Sequence, residues 1–397
     1  MDIKQKGFAM FLVLLIVLNT GYVVFQNNYS TVTVFTLAMV SVYLFIYHKY
    51  VIYDFKLLAI IFLITIILFD IIIYGDFNFS HYLGLSITII SSVIVSTVIS
   101  LKDFCKYYNR IIFYLSLISI PFFLLGYLLP HVVESLPTIN YLLNSGETGY
   151  KNGILYLYRY DPRLDFQTGF TKNNSIFWEP GAYQALLNLA LIFEIKAENS
   201  NRFRLLIYTI CLITTFSTTG ILSGILILTA TLALRKTRHK FNINFLSILI
   251  ILILVSIILY FNANLIFGKL FQGNTSHASF LERYSGTMND IAVFNSSNFL
   301  GIGYTEFGLQ GFGSSNGITS TFAKYGLIFG SIILMGLISF ISKITKEFFE
   351  TIIYILIFTI MLATEAFMIK PLFFLMMFYG FGLYGSFDKE SEEVSYG

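Results

Sequence analysis

Long apolar runs alternate with short polar segments along most of the chain. A helix needs about 20 mostly apolar residues to cross a hydrocarbon core roughly 30 Å thick. The runs that approach this length lie at 7–25, 31–47, 55–74, 82–100, 111–129, 180–195, 244–260, 318–341, 352–368 and 370–387. The pattern predicts a bundle of transmembrane helices.

One further apolar stretch, 204–234, is interrupted by the polar sequence Ser217-Thr218-Thr219-Gly220. We interpret it as two spans, each about 23 Å long and therefore shorter than the hydrocarbon core. The turn between them is expected below the membrane surface, where non-helical backbone is tolerated if protein or water surrounds it. A thinned bilayer or a stronger helix tilt is the alternative. Together the apolar segments predict about twelve spans.

The composition excludes two broad classes of protein. Hydrophobic residues make up 56% of the chain and charged residues only 12%, whereas an average soluble protein is about one-quarter charged. Such a chain has too few polar groups to cover a soluble surface, and it is too apolar to be disordered. The two cysteines, Cys105 and Cys211, lack the spacing of a metal or redox pair, and no disulfide is expected.

The positions of the basic residues predict the orientation of the chain. Most of the 25 lysines and arginines lie at the N-terminus or in and beside the segments 48–54, 101–110, 196–203, 235–243 and 342–351. The short connections 26–30 and 75–81 contain none. Because basic residues accumulate on the cytoplasmic side, we expect both termini there, with residues 1–397 forming a single integral membrane domain.

Two long segments are not membrane spans: 130–179, the first long segment, and 261–317, the second long segment. Both lie outside in the predicted topology, and loops of this length are usually functional or disordered. The aromatic residues of the first long segment argue against disorder. By contrast, the cytoplasmic connections are too short to hold a nucleotide donor.

Several motifs that would indicate other chemistry are absent. The sequence contains no Walker-type phosphate loop, no D-x-D pair, no H-E-x-x-H and no Cys/His cluster, so no metal or other cofactor is expected. Gly301-Ile302-Gly303 lacks the third glycine of a dinucleotide-binding loop and is interpreted as a flexible turn.

Arginines in the long segments are the candidate anion-binding groups. A guanidinium matches phosphate in a bidentate fork, so an arginine at the outer membrane face favours a pyrophosphate ligand. For Arg163 and Arg283 we favour ligand contact over pairing with a neighbouring acid. For Arg159 an acidic partner is favoured instead.

Two carboxylates and one histidine are considered for proton transfer, and a third carboxylate is expected to be structural. Glu179, at the start of the sixth span, is equally compatible with an acid–base role and with a simple helix-start acid that complements the helix dipole. His277, the only histidine of the second long segment, is a second candidate base. Asp70 is a candidate because intramembrane acids are often functional. Glu365 is expected to pair with Lys370 in a structural role.

Short motifs in a particular order resemble the polysaccharide polymerase and O-antigen ligase superfamily of bacterial membrane proteins, and the Wzy-type polymerases especially. The motifs are Arg163 with Thr168-Gly169-Phe170, Phe177-Trp178-Glu179-Pro180-Gly181, Ser217-Thr218-Thr219-Gly220, Ser279-Phe280-Leu281-Glu282-Arg283 with Asp290, Gly301-Ile302-Gly303-Tyr304, and Asn316 leading to Lys324-Tyr325-Gly326-Leu327. They cover about 160–330, and the predicted number of spans fits the whole chain.

The resemblance implies an all-α, GT-C-like polytopic bundle in the bacterial cytoplasmic (inner) membrane. It implies metal-independent joining of undecaprenyl-pyrophosphate-linked oligosaccharides at the outer face, without a cofactor. Arg163 and Arg283 would bind pyrophosphate, and Glu179 or His277 would accept the proton. The residues predicted to bind substrate are Arg159, Tyr160, Ser217, Thr219, Tyr284, Asp290 and Asn316.

Two alternative functions remain open. One is a ligase that moves finished glycan to another acceptor, although ligases often carry a histidine where Asn316 stands here. The other is a transporter of polysaccharide or lipid-linked sugar, for which internal repeats and intramembrane charges are typical. We find no repeat, and few ionisable groups besides Asp70 lie in the spans. The lipid bilayer and a chain-length regulator are the candidate partners, and nucleic acid is not.

Overall fold

A computed structural model shows that the chain is predominantly helical. The structure describes residues 3–27, 30–48, 54–76, 78–143, 146–153, 156–160, 172–235, 275–309, 314–345 and 347–382. The predicted span 244–260 lies outside the described residues.

Many of the helices overlap the apolar runs of the sequence, but not all of their bounds agree. The helix Leu101–Leu128 begins before the run 111–129, and the helix Phe348–Thr364 ends before Glu365, which lies in the connection that follows and not in the predicted span 352–368. In chain order they are α1 (Ile3–Gly21), α2 (Val23–Asn27), α3 (Ser30–His48), α4 (Asp54–Tyr74), α5 (Phe79–Val98), α6 (Leu101–Leu128), α7 (Pro130–Glu134), α8 (Pro180–Lys196), α9 (Arg202–Thr214), α10 (Thr218–Arg235), α11 (Thr275–Ser296), α12 (Tyr304–Leu309), α13 (Gly317–Ile344), α14 (Phe348–Thr364) and α15 (Pro371–Phe381).

Within the described residues, four helices are long and apolar enough to cross a membrane: Phe55–Tyr74, Phe79–Val98, Leu101–Leu128 and Gly317–Ile344. The chain is therefore a helical membrane protein. The segment 101–110, expected as a connection, forms the first turns of α6, so Cys105 lies in a helix. Cys105 and Cys211 are both buried and have free thiols.

Two short helices, α8 and α15, form the centre of the bundle. All residues of α8 from Ala182 to Glu194 are buried, and so are all residues of α15 from Pro371 to Gly380. A helix that is apolar around its whole circumference requires protein on every side. Accordingly, α8 packs against α6, α9 and α10, while α15 packs against α1, α5 and α13.

Helices α13 and α15 approach closely where Gly336 faces Gly380. The hydroxyl of Ser339 donates to the Gly380 carbonyl oxygen at 2.8 Å, and the Lys343 ammonium donates to the Tyr379 carbonyl oxygen at the same distance. Small residues at such a crossing let two backbones come together. A Cβ on Gly380 would overlap the carbonyl oxygen of Gly336, a backbone atom that no rotamer change can move.

We therefore expect Gly380→Ala to destabilise the bundle by about 1–3 kcal/mol, the usual cost of overpacking. The measurement is thermal unfolding of the detergent-solubilised full chain. Gly84→Ala in α5 is the matched control, because a Cβ there meets nothing within 4 Å and alanine is the better helix former. Equal melting temperatures for Gly380→Ala and wild type would contradict this account of the crossing.

The first long segment contains a small antiparallel sheet that the all-α expectation omitted. Its strands are β1 (Thr138–Leu143), β2 (Gly146–Asn152) and β3 (Leu157–Tyr160), in the spatial order β1-β2-β3. Aromatic residues favour this conformation because they fit a pleated, half-buried surface. The second long segment is likewise more regular than a loop, since it contains α11 and α12.

The stretch 204–234 is interrupted as predicted, but the break lies at 215–217, and Thr218-Thr219-Gly220 form the beginning of α10. Helix α9 ends at Thr214 and α10 begins at Thr218, and Phe216 between them has a positive φ of 49°. Because α9 has only 13 residues, it spans about 20 Å, well short of a hydrocarbon core.

A second interruption, at Gly326 of α13, was not predicted. Gly326 has φ 78° and ψ 179°, a conformation open essentially to glycine alone. The Gly301-Ile302-Gly303 turn, expected to be flexible, docks beside it. The Ile302 and Gly303 N–H groups donate to the carbonyl oxygens of Ala323 and Lys324, each at 3.0 Å.

The described connections predicted to face outward gather at one end of the bundle, which we call the site end. The contacts that join them are the Tyr22–Phe177 backbone bridge, the 2.7 Å hydrogen bond from the Thr305 N–H to Asp76, and the packing of Gly317 on the Glu365 backbone. Residues far apart in sequence are thereby brought together at this end.

Candidate active site

Two arginines, one from each long segment, converge on a single carboxylate at the site end. Arg159 Nη1 lies 3.2 Å from Glu179 Oε2, and Arg283 Nη2 lies 4.0 Å from Glu179 Oε1. The side chains of Arg159 and Arg283 are 39% and 43% exposed, against 18% for Glu179. Three predicted site residues therefore meet, with the guanidinium groups open to solvent.

The small sheet positions Arg159. Arg159 lies opposite Tyr150 in the register of β2 and β3, and the Tyr150 hydroxyl donates to the Trp178 carbonyl oxygen at 2.6 Å. The Leu157 N–H donates to the Ser175 carbonyl oxygen at 2.9 Å. These bonds fix β3 against the segment that leads into α8, so Arg159 reaches Glu179.

Helix α11 positions Arg283. Arg283, Thr287 and Asp290 are spaced by four and three residues, so they share one face of the helix. That face is held by the start of α13, because the Thr319 hydroxyl donates to Asp290 at 2.8 Å and the Asn316 amide donates to the Thr287 hydroxyl at 3.4 Å. Asp290 and Asn316 thus orient the helix that carries Arg283.

Glu179 occupies the N-cap position of α8. Its backbone is extended, with φ −156° and ψ 162°, and Pro180 follows at the first helical position, where proline's fixed φ suits the helix. The Glu179 side chain makes no capping hydrogen bond. It contacts Arg159 and Arg283 instead, so its position is more specific than that of a helix-start acid.

Glu365, at the end of α14, lies beneath Glu179 and completes the cluster. It is 1% exposed, and its carboxyl group lies close to that of Glu179, since Oε1 of each would contact a Cβ on Gly181. The sequence suggested Lys370 as its partner, but the Lys370 ammonium lies 5.9 Å from the centroid of the Trp178 ring. Sequence reasoning missed Glu365 because its main partner is far away along the chain.

The two carboxyl groups have opposite pKa shifts. Burial and the adjacent charge of Glu179 raise the pKa of Glu365 well above its ordinary value. Burial also raises the pKa of Glu179, but the hydrogen bond from Glu365 and the charges of Arg159 and Arg283 outweigh this effect and lower the pKa below its ordinary value. These opposite directions place a shared proton on Glu365 and the negative charge on Glu179.

This arrangement leaves an excess positive charge in the cluster. Two guanidinium groups face one carboxylate when Glu365, whose pKa is raised, holds a proton. The partly exposed guanidinium groups can each form bidentate hydrogen bonds to phosphate oxygens. The cluster is therefore suited to an anion, with a carboxylate next to it that can accept a proton.

The structure describes some of the remaining predicted site residues but not all of them. Ser217 and Thr219 lie at the start of α10, where their hydroxyls are 3.2 Å apart and the Gly220 N–H donates to Ser217 at 3.4 Å. The Tyr284 side chain is 54% exposed, and Asp70 is buried within α4. Arg163 lies outside the described residues, and so do the side chains of Tyr160 and His277.

A second polar cluster at the site end holds the start of α5 against α12 and α13. His81 Nε2 lies 2.7 Å from the Tyr325 hydroxyl, and the His81 ring stacks on Tyr304 with centroids 3.5 Å apart. The Tyr82 hydroxyl donates to Asp76 at 2.7 Å. This cluster supports the segment that docks at the Gly326 interruption.

Among the described residues, no group of three or more His, Cys, Asp and Glu side chains is placed to hold a metal ion. Comparison of the chain with family models, with curated proteins and with solved structures finds no match.

Proposed function

We propose that this protein is a membrane glycosyltransferase of the Wzy type, which joins lipid-linked oligosaccharide repeat units into a polysaccharide. Its substrates are oligosaccharides on undecaprenyl pyrophosphate, and the reaction takes place at the outer face of the bacterial cytoplasmic membrane. The chain crosses that membrane about twelve times, with both termini in the cytoplasm and the site end outside.

The convergence of Arg159 and Arg283 on Glu179 is the observation that supports this proposal most strongly. A glycosyl transfer from a lipid pyrophosphate requires groups that stabilise the leaving phosphate and a group that accepts the proton of the acceptor hydroxyl. Both kinds of group meet here, at the end of the bundle where the long segments gather.

In the proposed reaction, a hydroxyl oxygen of the acceptor repeat unit attacks the anomeric carbon of the donor glycan. The bond between that carbon and the pyrophosphate oxygen breaks, and the pyrophosphate leaves with the bonding electron pair. Arg159 and Arg283 stabilise the charge that develops on it. Glu179, from which the arginines have turned toward the phosphate, accepts the hydroxyl proton. Arg163 and His277 remain predicted contributors from the two long segments.

The fate of the lipid-linked intermediate in a gene deletion tests this proposal against its rivals. Loss of a polymerase leaves single repeat units on the lipid at the outer face, and the complementing gene restores a ladder of chain lengths. Loss of a ligase leaves long lipid-linked polymer instead. Loss of a transporter leaves units on the cytoplasmic side. Either of the last two outcomes would contradict the polymerase assignment.

A further inference from the structure

Oε1 of Glu365 and Oε1 of Glu179 both lie close to the position that a Cβ on Gly181 would occupy, so the two carboxyl groups are neighbours. A hydrogen bond between them requires a proton on one of the two, because two carboxylates offer only acceptor oxygens. Oε1 of Glu365 is buried and has no hydrogen-bond donor among the described residues. An oxygen without a donor is the natural place for the proton. The protonated oxygen of Glu365 can then donate a hydrogen bond to the Glu179 carboxylate.

The surroundings of the two groups indicate which one holds the proton. Among the described residues, the charged groups that act on Glu365 are Glu179 at the start of α8, Arg159 of β3 and Arg283 of α11. The guanidinium nitrogens of Arg159 and Arg283 lie 3.2 and 4.0 Å from the carboxylate oxygens of Glu179. Their positive charges therefore favour the ionised form of that carboxylate. Glu365 is 1% exposed, and burial favours the neutral form of an acid.

Gly181 leaves room for the Glu365 carboxyl group. A Cβ on Gly181 would overlap Glu365 Oε1. Glycine at this position, two residues after Glu179, therefore lets Glu365 reach the beginning of α8. The backbone of Glu365 is held in turn, because its N–H donates to the Met361 carbonyl oxygen at 3.2 Å and its carbonyl oxygen accepts from the Phe367 N–H at 2.8 Å.

We propose that Glu365 is the proton-holding positioning residue of this site: it stays protonated at neutral pH, donates a hydrogen bond to Glu179, and limits the cluster to one negative charge between Arg159 and Arg283. With one carboxylate the cluster has a net positive charge and can bind the phosphate groups of a lipid pyrophosphate. With two carboxylates the cluster would be neutral, and both guanidinium groups would remain paired with carboxylates instead of binding phosphate. The identity of the anion rests on the proposed function, whereas the position of the proton does not.

Infrared spectroscopy of the purified full chain at pH 7 tests where the proton lies, without any substrate. A protonated carboxyl group gives its own C=O stretching band, and subtracting the spectrum of a variant from that of wild type isolates the band of one residue. We expect Glu365→Gln to lose such a band and Glu179→Gln to retain it at a shifted frequency. Loss of the band in Glu179→Gln and its retention in Glu365→Gln, or no change in either, would overturn the proposal.

Gly181→Ala provides a second test if Glu365→Gln does not fold. The added Cβ displaces the Glu365 carboxyl group from Glu179, so the same band is expected to shift in frequency. An unchanged band would contradict the proposed pairing. These spectra need no lipid-linked sugar, so they can confirm the proton on Glu365 even if the polymerase assignment fails. Conversely, they can overturn the proton position while the polymerase assignment stands.

Discussion

Replacing Arg283 by alanine is expected to reduce polymer formation by about 100- to 1,000-fold, the usual effect of removing one group that stabilises charge in a transition state. Arg283 lies 4.0 Å from Glu179 and is 43% exposed, so it can turn toward a phosphate without leaving the site. Lysine at this position keeps the charge but loses the bidentate fork. We therefore expect Arg283→Lys to have an intermediate activity.

The measurement is the ladder of polymer lengths from cells that carry each variant at normal expression. Arg202→Ala is the matched control, because Arg202 is an exposed arginine at the first position of α9, which follows the end of α8 that is remote from Glu179. It is expected to leave the ladder unchanged. Full-length polymer from Arg283→Ala would contradict the role proposed for this arginine.

Replacing Glu179 by glutamine is expected to lower the rate of transfer by about 100- to 10,000-fold, the range for loss of a general base. Glutamine has nearly the same shape but cannot accept the proton. The substitution also removes the negative charge between Arg159 and Arg283, so the cluster becomes more positive. We therefore expect binding of inorganic pyrophosphate to become tighter while turnover falls.

Tighter pyrophosphate binding together with slower turnover distinguishes a base from a residue that only supports the fold. A folding defect would weaken pyrophosphate binding together with turnover, and it would lower the melting temperature of the solubilised chain. Glu134→Gln is the control, since Glu134 belongs to the same long segment but lies in α7 with a side chain 47% exposed. Wild-type turnover in Glu179→Gln would exclude Glu179 as the base.

Much of the helical fold could be predicted because long hydrophobic runs indicate helices that are buried in lipid or in protein. The break between α9 and α10 could be predicted because a cluster of Ser, Thr and Gly inside an apolar stretch is typical of a turn. The interruption at Gly326 was not visible, since a single glycine is common in membrane helices and only the docking of the Gly301-Ile302-Gly303 turn makes it necessary. The sheet was missed because its strands are short and lie in a segment expected to be a loop.

The site could be predicted in part, and the limit is the distance between partners along the chain. The residue types were enough to select Arg159, Arg283 and Glu179, and an acidic partner was correctly expected for Arg159. Which acid this is could not be predicted, because Glu179 lies 20 residues away along the chain. Glu365 was assigned to nearby Lys370 for the same reason. Pairings of this kind arise from helix packing, which hydrophobic periodicity does not specify.

Reconstitution of the purified full chain tests the central claim most directly. The chain is placed in liposomes with a single kind of lipid-linked repeat unit, taken from the deletion strain, and with EDTA but no nucleotide sugar. We predict a ladder of lipid-linked products that grows with time and is absent with Arg283→Ala or Glu179→Gln. If the wild-type chain leaves the unit at its original length, the protein does not catalyse polymerisation as proposed.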